Sequence, residues 1–234
     1  MSTTWVVIPV YNEAPAIEGV LEDVTALFGH VVCVDDASTD GSAAIISSVP
    51  GVRLVRHPIN LGQGAALQTG IEYALQDPAM TGVVTFDADG QHHASDAARL
   101  ARRLGLPGPD GRPLQAVLGT RWAEGREAKR PGGAGPARRL LLRAAVVYTR
   151  ATVGLRVTDT HNGLRALSRE VAASLHLKQN GMAHASEILQ RIKAGRFCWA
   201  EEPVTIDYTE YSKSKGQSPL NAINILTELW LGRR

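Results

Sequence analysis

Over the first ninety residues, short apolar runs alternate with stretches whose apolar positions recur every three to four residues. Trp5-Val6-Val7-Ile8, Val31-Val32-Cys33-Val34, residues 52–56 and Val83-Val84-Thr85-Phe86 are brief and rich in β-branched side chains. They read as buried strands, the first stopped by Pro9. Residues 13–28 place Ile17, Val20, Leu21, Val24 and Phe28 on one helical face, with Pro15 tolerated in a first turn. Residues 42–48 form a short helix. A longer one follows Gly62 and runs to about Gln76, with Leu67, Ile71, Ala74 and Leu75 inward.

This βαβαβαβ order predicts an α/β fold with a mostly parallel sheet covered by helices on both faces. Ligands of such sheets bind beyond the carboxyl ends of the strands. Polar loops fall there four times, at residues 9–13, 35–41, 60–64 and 87–91. The second half is less regular. Residues 96–104 read as a helix, 115–118 as a strand ending in Gly119-Thr120-Arg121, and 126–136 as a loop rich in Gly, Pro and basic residues. Residues 138–153 and 184–193 read as helices, 197–206 as a strand, and 220–231 as a C-terminal amphipathic helix.

Composition changes this picture little. The 234 residues suit one large domain, with 44% hydrophobic and 21% charged content and a net charge of +2. The charge is uneven: residues 121–156 hold nine Lys or Arg and two Glu, a cationic stretch in a mildly acidic chain. Cys33 and Cys198 lie in apolar runs without CxxC spacing and are expected to be buried free thiols of a reducing compartment. No run reaches the ~20 residues that span a bilayer. A cytoplasmic protein, peripheral on the cytosolic membrane face, is expected.

The chemistry centres on Asp87-Ala88-Asp89. Two carboxylates one residue apart at a strand end, followed by Gly90, suit Mg²⁺ or Mn²⁺, hard cations that keep substrate phosphates in their shell. A strand end followed by an acidic turn explains the same residues without a metal. Two acidic loops, a Gly-bearing loop and a basic segment together suit a diphosphate substrate. Neither GxGxxG after the first strand nor GxxxxGK[ST] occurs, so the common dinucleotide and P-loop readings lose support.

Seven ordered segments carry a resemblance: Ile8-Pro9-Val10-Tyr11-Asn12-Glu13, Val34-Asp35-Asp36-Ala37-Ser38-Thr39-Asp40-Gly41, Asn60-Leu61-Gly62-Gln63-Gly64-Ala65, Phe86-Asp87-Ala88-Asp89-Gly90-Gln91, Gly119-Thr120-Arg121, Asp159-Thr160-His161-Asn162-Gly163-Leu164-Arg165 and Ser186-Glu187-Ile188-Leu189. Over nearly the whole chain the sequence resembles the family 2 glycosyltransferases of GT-A fold, and within them the dolichyl- and polyprenyl-phosphate sugar synthases. The resemblance implies a single catalytic domain over residues 1–217, with 1–120 binding the nucleotide sugar and 121–217 on the acceptor side, followed by the helix at 218–234. It implies that Pro9, Tyr11, Glu13, Asp35 and Asp36 hold the nucleoside, and that Gly64, Asp87, Ala88 and Asp89 line the donor site. Lys213 or Lys215 would close over the phosphates. Asp87, Asp89 and Gln91 would hold Mg²⁺ or Mn²⁺, and Arg121 and Arg138 would face the acceptor phosphate.

The implied reaction is metal-dependent inverting transfer of a hexose from a GDP-mannose or UDP-glucose type donor to a polyprenyl phosphate, in glycan or cell-envelope biosynthesis. A saccharide or small-molecule hydroxyl is the alternative acceptor. It would need a base, for which Glu187 and Asp159 are the candidates. Leu142 stands where the lipid-phosphate synthases often carry Ser, and fused transmembrane helices are not matched. A small membrane-protein partner, an anionic membrane surface and a homo-oligomer are further partners the resemblance accommodates. A rival from another class is a non-catalytic protein gripping nucleic acid through residues 121–156.

Overall fold

The computed structural model describes residues 3–121, 154–160, 162–181 and 183–207. Among these residues seven strands form one sheet: β1 (Thr3–Val10), β2 (Val31–Asp35), β3 (Val52–Arg56), β4 (Met80–Thr85), β5 (Ala116–Thr120), β6 (Arg165–Ser168) and β7 (Trp199–Pro203). Among the described residues the helices are α1 (Ala14–Thr25), α2 (Ser42–Ser48), α3 (Gln63–Leu75), α4 (Ala94–Arg103), α5 (Arg169–Ser174) and α6 (His184–Ala194). The strand order is β3-β2-β1-β4-β6-β5-β7. Neighbours are parallel except at β6, which runs antiparallel to both β4 and β5.

The two faces of the sheet follow from period-2 alternation. Val6, Ile8 and Val10 of β1 point into one apolar layer with Ile17, Leu21 and Val24 of α1, Ile46 of α2 and Leu100 of α4. Trp5 and Val7 point into the other, with Leu67 and Ile71 of α3, Val171 of α5, and Ile188 and Ile192 of α6. Both layers are dry: Ile8, Ile17, Leu21, Ile71 and Leu167 have no exposed surface. Burying each such side chain contributes about 1.5–3 kcal/mol.

Most predicted elements stand within a few residues of expectation. Pro9 does not stop β1, which continues to Val10. Residues 6 and 10 bond toward β2, through Val6 N–H to His30 and the Val10 carbonyl to Asp36. By the same alternation the nitrogen of residue 9 faces β4, whose pairing with β1 ends at Val7. The missing N–H of Pro9 therefore breaks no ladder bond. The 197–206 run is strand only over Trp199–Pro203, with an isolated bridge further on between His92 and Ile206. β6 and α5 were not expected from the pattern. β6 is four residues long and opens on an arginine, so it carries no apolar run to notice.

Both cysteines are buried free thiols, and burial pushes the Cys33 thiol up. Among the described residues no helix is long and apolar enough to cross a membrane. Arg138 and the helix expected over 138–153, the rest of 122–153, Lys213, Lys215 and the helix expected over 218–234 lie outside the described residues.

Candidate active site

The carboxyl ends of β1, β2, β3, β4, β5 and β7 share one edge, and the polar loops gather there. The loops after β1 and β2 are stitched to each other. Asn12 Oδ1 accepts from the Thr39 N–H (2.8 Å), and the Asn12 N–H donates to Ser38 Oγ (2.9 Å). The first amides of α1 are capped from the neighbouring loop: Glu13 N–H donates to Ser42 Oγ (2.9 Å) and Ala14 N–H to Asp40 Oδ2 (3.1 Å). Slight burial pushes Asp40 up, but the bonds from Ser42 and Ala14 outweigh it and hold the carboxyl below its usual range. Asn12 and Ala37 both have positive φ, 54° and 61°. For Ala37 that left-handed conformation costs roughly 1–2 kcal/mol, a strain held in place by the bonds around it.

Asp35 and Asp36 face different ways. Asp35 accepts from Ser38 N–H (3.1 Å) and Arg56 Nε (2.9 Å). Asp36 organises the loop at 57–62: Oδ1 meets His57 Nδ1 (2.7 Å) and the Leu61 N–H (2.9 Å), and Oδ2 accepts from Gly62 N–H (2.7 Å). His57 Nε2 in turn meets Thr69 Oγ1 (2.9 Å) on α3. Pro9 and Ala88 are buried beneath this edge, and Tyr11 is exposed upon it.

Gly62 and Gly64 are required by close packing. Gly62 has φ of 99°, and a Cβ there would lie 2.4 Å from the Asn180 carbonyl oxygen. At Gly64 a Cβ would lie 2.0 Å from the Gln179 carbonyl oxygen, and the Gly64 N–H donates to the Asn180 carbonyl (2.8 Å). Residues 178–180 thus strap across the start of α3. The strap is held by Glu187, whose Oε2 accepts from Lys178 N–H (2.9 Å) and Gln179 N–H (3.0 Å).

Asp87 and Asp89 stand just beyond β4. Asp87 Oδ1 accepts from Gln63 Nε2 (3.0 Å), and Oδ2 lies 3.3 Å from His92 Nε2. Gly163 packs so closely on this carboxylate that a Cβ would fall 2.0 Å from Oδ2. Asp89 accepts from the backbone N–H of Gln91 (3.0 Å) and from its side-chain Nε2 (2.5 Å). The segment after it is pinned by the Asp207 N–H, which donates to the Gln91 carbonyl. Burial alone would raise Asp87, but its bond to His92 and the charges of His92 and Arg165 prevail and lower it. Asp89 is raised, first by burial and then by the charge of Asp87.

Among the described residues neither carboxylate has a Lys or Arg within ion-pair distance. Among them, too, no three His, Cys, Asp or Glu close into an all-protein cage. Asp87, and Asp89 raised by burial and by the charge of Asp87, are, with the Gln91 amide, oxygen donors of the kind Mg²⁺ and Mn²⁺ take while sharing their shell with a phosphate. The donor set fits such an ion.

At the far side of the edge, Arg121 grips Asp159 through Nε–Oδ2 (2.6 Å) and Nη2–Oδ1 (2.7 Å). Glu201 on β7 fixes the same segment by accepting from the amides of Thr158 (2.7 Å) and Asp159 (3.3 Å). Burial raises the Glu201 carboxyl despite these bonds. Arg165 opens β6 with 3% exposure, and its Nη1 has no hydrogen-bond partner. Burial lowers its pKa, offset by the charges of Asp87 and Asp159. Arg165 therefore couples the two ends of the edge electrostatically. Gln63, His92, Gly163 and Arg165 were not singled out from sequence as site residues, although each lies inside or next to a motif segment.

The fold and the site define a transferase of activated sugars. The chain belongs to glycosyl transferase family 2, whose model matches residues 5–172. It is 27% identical to the UDP-N-acetylglucosamine–dolichyl-phosphate N-acetylglucosaminyltransferase of Methanococcus voltae, over 96% of this chain and 94% of that protein. It is 29% identical to the polyprenol monophosphomannose synthase of Mycolicibacterium smegmatis, over 91% and 80% respectively. The glucosyl-3-phosphoglycerate synthase of Mycobacterium tuberculosis, in complex with Mn²⁺ and UDP-glucose, superposes with a TM-score of 0.65 at 22% identity, over 97% of this chain and 78% of that one. The fold is GT-A, as the motif segments implied. Family membership as an enzyme leaves the non-catalytic nucleic-acid reading without support.

Proposed function

We propose that this glycosyltransferase moves a hexose or related sugar from a nucleoside diphosphate to a polyprenyl phosphate at the cytosolic face of a membrane, with inversion at the anomeric carbon. The observation that carries the reading is the Asp87–Asp89 pair at the end of β4, with Asp89 raised by burial and by Asp87, on an edge to which six strands bring their loops. The nature of the acceptor rests on the lipid-phosphate substrates named for the two relatives. The domain reading, with donor binding in 1–120 and the acceptor side in 121–217, belongs to this proposal.

Each residue then has a task. Asp87 and Asp89, with the Gln91 amide, would hold Mg²⁺ or Mn²⁺, which when bound stabilises negative charge on the departing diphosphate. Tyr11, Glu13 and Asp35 sit where the nucleoside would lie, and Asp36 shapes the adjoining loop. Arg121, held by Asp159, would face the acceptor side, with Arg138 as a second cation. Lys213 or Lys215 would cover the phosphates. A lipid phosphate arrives already ionised, so no base is required. Glu187 then acts through the strap it holds, as a positioning residue.

Radiolabelled GDP-mannose, UDP-glucose and UDP-N-acetylglucosamine, incubated with polyprenyl phosphate in detergent and Mn²⁺, should yield an organic-extractable labelled lipid from one donor. Chelator or Asp89→Asn should lower its formation at least 100-fold, on the scale of a lost charge-stabilising group. A soluble glycoside in place of the lipid product would overturn the acceptor, and full turnover in chelator would overturn the metal.

A further inference from the structure

Asp87 is held on both oxygens by side chains whose own placement is fixed. Gln63 is the first residue of α3 and reaches Asp87 Oδ1 at 3.0 Å. Only its NH₂ end can face a carboxylate, because the amide oxygen would repel it, so Gln63 is the donor. Its backbone is locked by the glycines on either side, each pressed against the carbonyls of residues 179–180. On the other oxygen, His92 Nε2 stands at 3.3 Å. The His92 ring is almost fully buried, lies edge-on to Phe86 with centroids 5.9 Å apart, and has no partner for Nδ1. A carboxylate oxygen only accepts, so His92 Nε2 carries the proton in this contact and donates it to Asp87.

We propose that Gln63 and His92 are positioning residues for metal binding, holding the plane of the Asp87 carboxylate so that it is presented to the cation in one orientation. The inference rests on the function proposed above. Each oxygen of a carboxylate accepts more than one bond, so both donors can orient Asp87 and still leave lone pairs for a cation. Donors of this kind behind a ligating carboxylate commonly govern affinity by about 10- to 100-fold. The arrangement also couples α3 and the 178–180 strap to the metal site through a single amide.

The test is Mn²⁺ binding, followed by the paramagnetic resonance of free Mn²⁺, with and without UDP. Gln63→Met keeps length and removes the donor, and His92→Phe keeps the ring and removes the nitrogen. Each should weaken Mn²⁺ binding about 10-fold or more, and raise the Mn²⁺ concentration for half-maximal turnover while kcat recovers at saturating Mn²⁺. His92→Gln, which retains a donor, should restore much of the loss. Gln63→Asn, a full backbone mimic too short to reach Asp87, should behave as Gln63→Met and guards against a folding artefact at either position. Mn²⁺ affinity within twofold of the parent in folded Gln63→Met and Gln63→Asn would overturn the inference alone. Absence of Mn²⁺ binding by the parent protein would overturn the metal reading and this inference with it.

Discussion

His184 is one side chain through which stability should respond to pH. It opens α6, is 4% exposed, and donates from Nδ1 to the Gly181 carbonyl at 2.8 Å. Burial first, and then the charge of Arg165, depress its pKa to about 4 from an ordinary 6.5. Between those values the unfolded chain binds a proton that the folded protein refuses, so stability rises with pH across that window. It is fully present above pH 6.5 and is lost as pH falls toward 4. At about 1.4 kcal/mol per unit this amounts to roughly 3 kcal/mol at most. Urea unfolding at pH 7.0 and 4.5 should show the loss, and His184→Gln should flatten the dependence. An unchanged slope in that variant would reassign the acid sensitivity to other groups. The residue types of the donor edge were legible in the sequence, because acidic and glycine-bearing loops following strands fall on one edge by topology. Their partners were not. Nothing in Asp35-Asp36 tells that one carboxylate meets Arg56 and the other a loop twenty-five residues away.

At the scale of elements, the strap over α3 gives Glu187 a measurable role. One oxygen of its carboxylate receives two backbone amides. Glu187→Ala leaves both without a protein partner and should cost about 1–3 kcal/mol, with faster hydrogen exchange at residues 178–180. Glu187→Gln keeps an acceptor and should cost less. Unchanged stability and exchange with turnover abolished would instead mark Glu187 as a base acting on a hydroxyl acceptor. The α/β alternation of the first ninety residues was readable because each strand is a buried apolar run and each helix has one apolar face. β6 escaped because its inward residues sit between Arg165 and Ser168 and its neighbours in the sheet come from distant sequence, with Thr85 and Leu118 both paired to Arg165. Pro9 misled for a related reason. A proline ends a strand only if the ladder needs its N–H, and that is decided by how far the neighbouring strand extends.

For the whole molecule, ligand binding should be visible as stability. The proposed donor site joins loops from β1, β2, β3 and β4, so UDP with Mn²⁺ should bind the folded protein and not the unfolded chain. At about 100 times Kd this adds roughly 2.7 kcal/mol, or about 5–10 °C in Tm for a chain of this size. Asp87→Ala should abolish the Mn²⁺-dependent part of the shift, as read by differential scanning fluorimetry. A full shift in that variant would place the cation elsewhere. The reversal of direction at β6 has a further consequence. β5 ends on the functional edge and β6, running the other way, begins there, so residues 121–164 leave and re-enter the sheet on the same side. The chain between them is a graft point only in part: Leu155, Val157 and Leu164 belong to the two apolar layers and Gly163 packs on Asp87, so only an excursion exchanged within residues 122–153 should leave strand order, core and carboxylates as they are. If the proposed acceptor side lies there, choice of recipient should be able to diversify while handling of the activated sugar stays fixed. A chimera that borrows this excursion from a relative should change what is glycosylated and leave Mn²⁺ affinity as it was.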